Sequence, residues 1–105
     1  MERPELSISV SHSPSEAVIH LAGEIDLSNV QQLSATVGDL LTDAPPRLVL
    51  DMGGITFCDS QGLGTLIVLS RRATLAHSCI VLTNVGDFLL RVLDITGLRP
   101  ALMIH

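Results

Sequence analysis

Residues 6–11, Leu-Ser-Ile-Ser-Val-Ser, alternate apolar and polar side chains with period two. This is the pattern of a strand with one packed and one wet face, at an edge or in an antiparallel pair. The polar set Ser7, Ser9 and Ser11 should meet water. A Ser-Pro-Ser turn signal lies within residues 12–16. Ala17 to Ala22 reads as a second strand, with Ile19 and Leu21 on one face and His20 on the other, toward solvent. The two strands predict a hairpin.

Gly23-Glu24-Ile25-Asp26-Leu27 then leads to Ser28, and Ser28 with Gln31 forms a capping-box pattern. Val30, Leu33, Val37, Leu40 and Leu41 follow at helical spacing, predicting a helix over 28–42. Pro45-Pro46 forbids its continuation. Arg47 to Met52 is a short apolar strand, which Gly53-Gly54 is expected to break before the apolar Ile55 to Cys58. A second helix starts at Asp59-Ser60, carries Leu63, Leu66, Ile67, Leu69 and Ala73, and runs to about His77. Cys79 to Thr83 reads as a buried strand with Cys79 as a small hydrophobe. A third helix covers 86–96 with Phe88 in the core. Gly97 and Leu98 fit its C′ and C″ positions, and Pro100 follows. Ala101 to Ile104 closes as a last strand. The order β-β-α-β-α-β-α-β predicts one α/β domain over residues 1–105, with a mixed β-sheet opening with a hairpin and continuing as β-α units.

Composition narrows the function classes. Of 105 residues, 47% are hydrophobic and 16% charged, which excludes a disordered chain. Mean hydropathy is +0.49, yet the longest apolar stretch, Leu63 to Leu69, contains Gly64 and Thr65. A bilayer span needs ~20 apolar residues, so no membrane insertion is expected. Met1-Glu2-Arg3-Pro4-Glu5 shows no signal-peptide pattern. The net charge is −5, all six basic residues are Arg, and there are two Phe with no Trp or Tyr. Direct nucleic-acid binding needs a basic surface and stacking aromatics, so it is not expected. Arg71-Arg72 reads as the wet side of the second helix. Cys58 and Cys79 form no CxxC pair. A reducing cytoplasm is the expected compartment, with no cofactor and no metal site.

The chemistry concentrates in Phe57-Cys58-Asp59-Ser60-Gln61-Gly62-Leu63-Gly64. Ser60 stands where a loop becomes a helix and could serve simply as an N-cap. Gly62 and Gly64 do not suit that role alone, because each disfavours a helix by about 1 kcal/mol relative to Ala. Something needs close access to the backbone there. A phosphate-binding loop lacks its third glycine, since residue 67 is Ile, and the chain has no Lys for a Walker motif. A Ser60-dependent hydrolase lacks the first glycine of GxSxG, where Cys58 stands. The remaining reading makes Ser60 a group modified by another protein, its phosphate facing the positive end of a helix. The residues themselves leave a plain cap and a modified serine both open.

Asp59-Ser60-Gln61-Gly62-Leu63-Gly64 resembles the Asp-Ser-x-Gly-Leu-Gly signature of the STAS domain, the family of anti-sigma factor antagonists. Leu21-Ala22-Gly23-Glu24-Ile25-Asp26 resembles that family's Gly-Glu-x-Asp turn, and Leu93-Asp94-Ile95-Thr96-Gly97-Leu98 its third-helix ending. The resemblance implies a non-enzymatic, partner-switching role in transcription regulation. The unphosphorylated form would bind an anti-sigma factor that is also a serine protein kinase, and so free a sigma factor. The kinase would phosphorylate Ser60, and a PP2C-type phosphatase would restore it. Asp26, Asp59, Gly62, Leu63 and Gly64 match the positions around the acceptor that face the partner. Cys58 and Gln61 depart from the commonest residues there, and Cys58 admits a redox-sensitive variant. The same resemblance covers small STAS subunits of lipid-transport ABC complexes and of stress-signalling assemblies.

Overall fold

The computed structural model describes residues 5–43 and 45–105. The stretch from Met1 to Pro4, with Arg3 and most of the segment read for a signal peptide, lies outside them. The strands β1 (Ser7–His12), β2 (Ala17–Ile25), β3 (Leu48–Cys58), β4 (Ile80–Thr83) and β5 (Met103–Ile104) form one sheet in the order β1-β2-β3-β4-β5. β1 and β2 pair antiparallel, and every later pair is parallel. The helices are α1 (Val30–Thr42), α2 (Ser60–Leu75) and α3 (Asp87–Thr96), and one 3-10 turn covers Arg99–Ala101. The fold is therefore the mixed α/β domain expected from the pattern. No helix among the described residues is long and apolar enough to cross a membrane.

Period-two alternation places the core. Ile19 and Leu21 of β2, Leu48 and Leu50 of β3 and Leu82 of β4 are buried in one cluster. Leu33 and Val37 of α1, Leu66 and Leu69 of α2, and Leu93 of α3 complete it. On the opposite face, Ser9, His20 and Asp51 stand in register across β1, β2 and β3. His20 is exposed there, as its alternation requires. With its proton on Nδ1, His20 donates to Asp51 Oδ2 at 3.2 Å and accepts from Ser11 Oγ at 3.4 Å through Nε2. Asp51 Oδ1 accepts from the backbone N–H of Gly53 and from Asn84 Nδ2, both at 3.0 Å.

Several local expectations are corrected. Ser28 does not cap α1. Asn29 occupies the N-cap without a side-chain cap bond, and the helix begins at Val30. Ser28 instead gives both its N–H and its hydroxyl to Asp26 Oδ1. Gly53-Gly54 does not break β3. The strand runs through them, and its pairing with β2 slips twice, between His20 and Ala22 and between Gly23 and Glu24. At each slip β3 carries an extra residue, as in a β-bulge. Gly54 is needed there, because a Cβ would lie 2.7 Å from that of Ala22. α2 stops at Leu75, and His77 adopts a positive φ of 61°. Cys79 precedes β4 and is half-buried. Gly86 caps α3 from outside. Phe88 is 66% exposed rather than core, since Leu89 and Leu93 supply the buried stripe of that helix. Gly97 closes α3 in the left-handed conformation, and Leu98 N–H bonds Leu93 O at 3.0 Å, as expected of a Schellman end. Residues 101–104 contribute only a two-residue strand, because the 3-10 turn takes up Ala101.

Candidate functional site

The end of β2 and the start of α2 are tied together. The backbone N–H of Asp59 donates to Ile25 O at 3.1 Å, which continues the sheet pairing to the last residue of β3. Asp59 is the N-cap of α2, and its Oδ1 accepts the N–H of Gly62 at 2.8 Å. Gly62 has to be glycine for packing reasons. A Cβ there would stand 2.8 Å from Cys58 Sγ, Ile25 Cγ2 and Ile25 O alike. At Gly64 the same atom would meet nothing within 4 Å.

Ser60 is therefore not the cap. It is the first residue of α2, exposed, and its hydroxyl makes no hydrogen bond among the described residues. Asp26 is 4% exposed and holds the turn before α1 through Ser28. Asn29 closes that turn, accepting from Asp26 N at 3.0 Å and donating to Glu24 O at 2.7 Å. Leu63 is buried and Gly64 exposed. The structure thus joins the Asp26 turn to the Asp59–Gly64 helix start through Ile25, with Ser60 facing outward.

A recess of about 300 Å³ opens beside Ser60, between α2 and α3. Leu63, Gly64 and Ile67 form one wall, and Val92, Thr96 and Leu98 the other. The second wall escaped the sequence reading. Its Thr96 and Leu98 belong to the third-helix ending noted in the sequence, but nothing in that segment says which helix α3 faces. Among the described residues neither a histidine nor an arginine lines the recess, and the Asp59 carboxylate there is engaged in capping α2. A second, narrower cleft lies on the other side of Cys58, bounded by Phe57 and Phe88. Burial pushes the Cys58 thiol up to about 12, with the Asp59 charge adding to the effect.

A family model described as "Mlab, STAS domain" matches residues 8–104. The chain belongs to the STAS domain family. Among curated relatives, this STAS chain is similar to the anti-sigma-F factor antagonist RsfB of Mycobacterium tuberculosis, at 32% identity over 73 residues. That match covers 69% of this chain and 60% of the relative, so the chain spans less than two thirds of the relative's length. An anti-sigma factor antagonist from Mycobacterium paratuberculosis has the same fold, with a TM-score of 0.83 at 24% identity over 96% of this chain and 86% of the other. So does the Bacillus cell fate determinant SpoIIAA solved in its phosphorylated form, with a TM-score of 0.72 at 22% identity over 94% of this chain and 91% of the other.

Proposed function

We propose that this STAS domain is an anti-sigma factor antagonist controlled at Ser60. Unphosphorylated, it binds an anti-sigma factor that is also a serine kinase and releases a sigma factor. Phosphorylation of Ser60 ends that binding, and a PP2C-type phosphatase restores it. The protein acts as a binding module of the cytoplasm and not as a catalyst. The observation that carries this reading is the division of labour at the start of α2. Asp59 caps the helix, which leaves the Ser60 hydroxyl exposed and without a structural task. The names of the relatives support the same reading.

The switch follows from charge and hydration. A phosphate adds about −1.5 to −2 charges at pH 7. Beyond its Asp59 cap the first turn of α2 contains no acidic residue, and the helix dipole favours an anion there. The fold should accept the phosphate. The partner should not, because a surface fitted to a hydroxyl leaves the phosphate oxygens unpaired when buried. The test is affinity for the kinase and melting temperature of wild type, Ser60→Ala and Ser60→Asp. Ser60→Ala should bind like wild type and resist phosphorylation. Ser60→Asp should bind about a hundredfold more weakly, a change of about 2.8 kcal/mol, while melting like wild type. Wild-type affinity in Ser60→Asp, or loss of binding through unfolding, would reject the switch.

The STAS family match is compatible with a second reading, a small STAS subunit of a lipid-transport ABC complex. A pull-down with the wild-type protein separates the two. Recovery of transporter subunits in place of a kinase would replace the first reading.

A further inference from the structure

The recess beside Ser60 is largely apolar, and apart from the exposed Ser60 hydroxyl its polar side chains make bonds within the chain. Asp59 Oδ1 accepts from Gly62, and Thr96 Oγ1 donates to Val92 O at 2.8 Å. Among the described residues no cationic side chain stands in its walls to pair with a nucleotide or another anion. Gly64 sharpens the point. Glycine inside a helix is unfavourable by about 1 kcal/mol relative to Ala. Gly62 has a reason for being glycine within the chain, in its approach to Ile25 and Cys58. Gly64 has none, because a Cβ there would project into open space. Gly64 is one of the residues that line the recess, so a larger side chain there would crowd its mouth.

The geometry points to this recess as the socket for one apolar side chain of the anti-sigma factor that docks at Ser60. The inference rests on the functional reading above and adds the anchor through which the partner is held. Ser60 lines the same recess, so a partner that covers its hydroxyl also covers the socket. Leu63 and Ile67 of α2 and Val92 and Leu98 of the α3 side would enclose the incoming group. A side chain desolvated at the centre of an interface is where binding energy concentrates. α3 thereby becomes half of the recognition surface. A phosphate on Ser60 would stand at the rim of the socket and bring its hydration shell to the place the partner must dry.

The first arm of the test needs no partner. N-acetyl-leucinamide is titrated into the purified protein, and methyl chemical shifts are read by NMR. Shifts should concentrate on Leu63, Ile67, Val92 and Leu98, and disappear in Gly64→Leu, whose added side chain occupies the mouth. Absence of those shifts in wild type, or their persistence in Gly64→Leu, overturns the proposal. The second arm measures affinity for the anti-sigma kinase. Gly64→Leu should melt at or above the wild-type temperature and bind at least tenfold more weakly. Thr96→Arg, an exposed change on α3 outside the Asp59–Gly64 motif, should also weaken binding at least tenfold, and it serves if Gly64→Leu fails to fold. If wild type binds and both variants bind equally well, the socket is rejected and the functional reading stands. If wild type binds no anti-sigma kinase, the functional reading itself falls.

Discussion

Asp59, and not Ser60, holds the first turn of α2, and the two side chains should separate cleanly on mutation. Asp59→Ala removes a cap bond of 2.8 Å and should lower stability by about 1 kcal/mol, or about 4–8 °C in melting temperature for a domain of this size. Ser60→Ala removes no cap and should melt within about 2–4 °C of wild type, since exposed substitutions away from such features change stability by at most about 0.5 kcal/mol. Thermal melts of the two variants check both statements. Gly62→Ala should be worse than either, by about 1–3 kcal/mol, because its Cβ would meet Ile25 and Cys58 at 2.8 Å. Cys58 should be inert. Burial, with the Asp59 charge, pushes its thiol up to about 12, which disfavours the reactive thiolate at neutral pH. Iodoacetamide at pH 7.5 should label Cys58 only after denaturation, with peptide mass mapping as the readout. The Asp59–Gly64 segment stood out because two glycines follow a pair of good caps within one opening turn. Its geometry was not legible, because Asp and Ser are both good caps, and their order does not say which one turns inward.

The elements themselves were legible wherever one periodicity held without competition. α1 and α2 followed from apolar residues three and four apart, β1 from strict alternation, and β2 from Ile19 and Leu21 on one face. The failures fall where two principles competed. Ser28-x-x-Gln31 looks like a capping box, but the buried Asp26 carboxylate takes the Ser28 hydroxyl first. Gly53-Gly54 looks like a break, but the bulged pairing of β3 against β2 calls for small residues within a continuing strand. Phe88 looks like core by type, yet the neighbouring Leu89 and Leu93 already fill the inner face of α3. Across the sheet, the Ser11–His20–Asp51–Asn84 chain ties β1, β2, β3 and the loop after β4. Bonds from Asn84 first and Gly53 next, with His20 contributing, hold the Asp51 carboxyl below its ordinary value of 3.8. The folded state therefore binds fewer protons there than the unfolded chain. The stabilisation is complete above the ordinary value and is lost as pH falls through the lowered one. Asp51→Asn should flatten the loss of stability below about pH 4, measured by urea denaturation as a function of pH.

At the scale of the whole molecule, two apolar recesses meet at Cys58, while other uncovered apolar side chains such as Leu75 and Met103 line a recess elsewhere. Phe57 and Phe88 bound one cleft, the socket opens on the other side of Cys58, and Ser60 lies at its rim. The alternation of strands and helices announced the fold but not this convergence, since which helices become neighbours depends on how each crosses the sheet. A Phe57→Ser, Phe88→Ser double variant should remain folded, because both rings are largely exposed, at 42% and 66%. It should bind the partner less tightly, by at least tenfold in calorimetry if the cleft shares the interface. The strand order has a consequence for biosynthesis. Each strand lies beside the one made just before it, from β1 to β5. No place in the sheet has to be kept vacant for a segment still to be translated. A chain leaving the ribosome can thus add one strand at a time to a single growing edge, and that edge is closed to strangers by its own next strand.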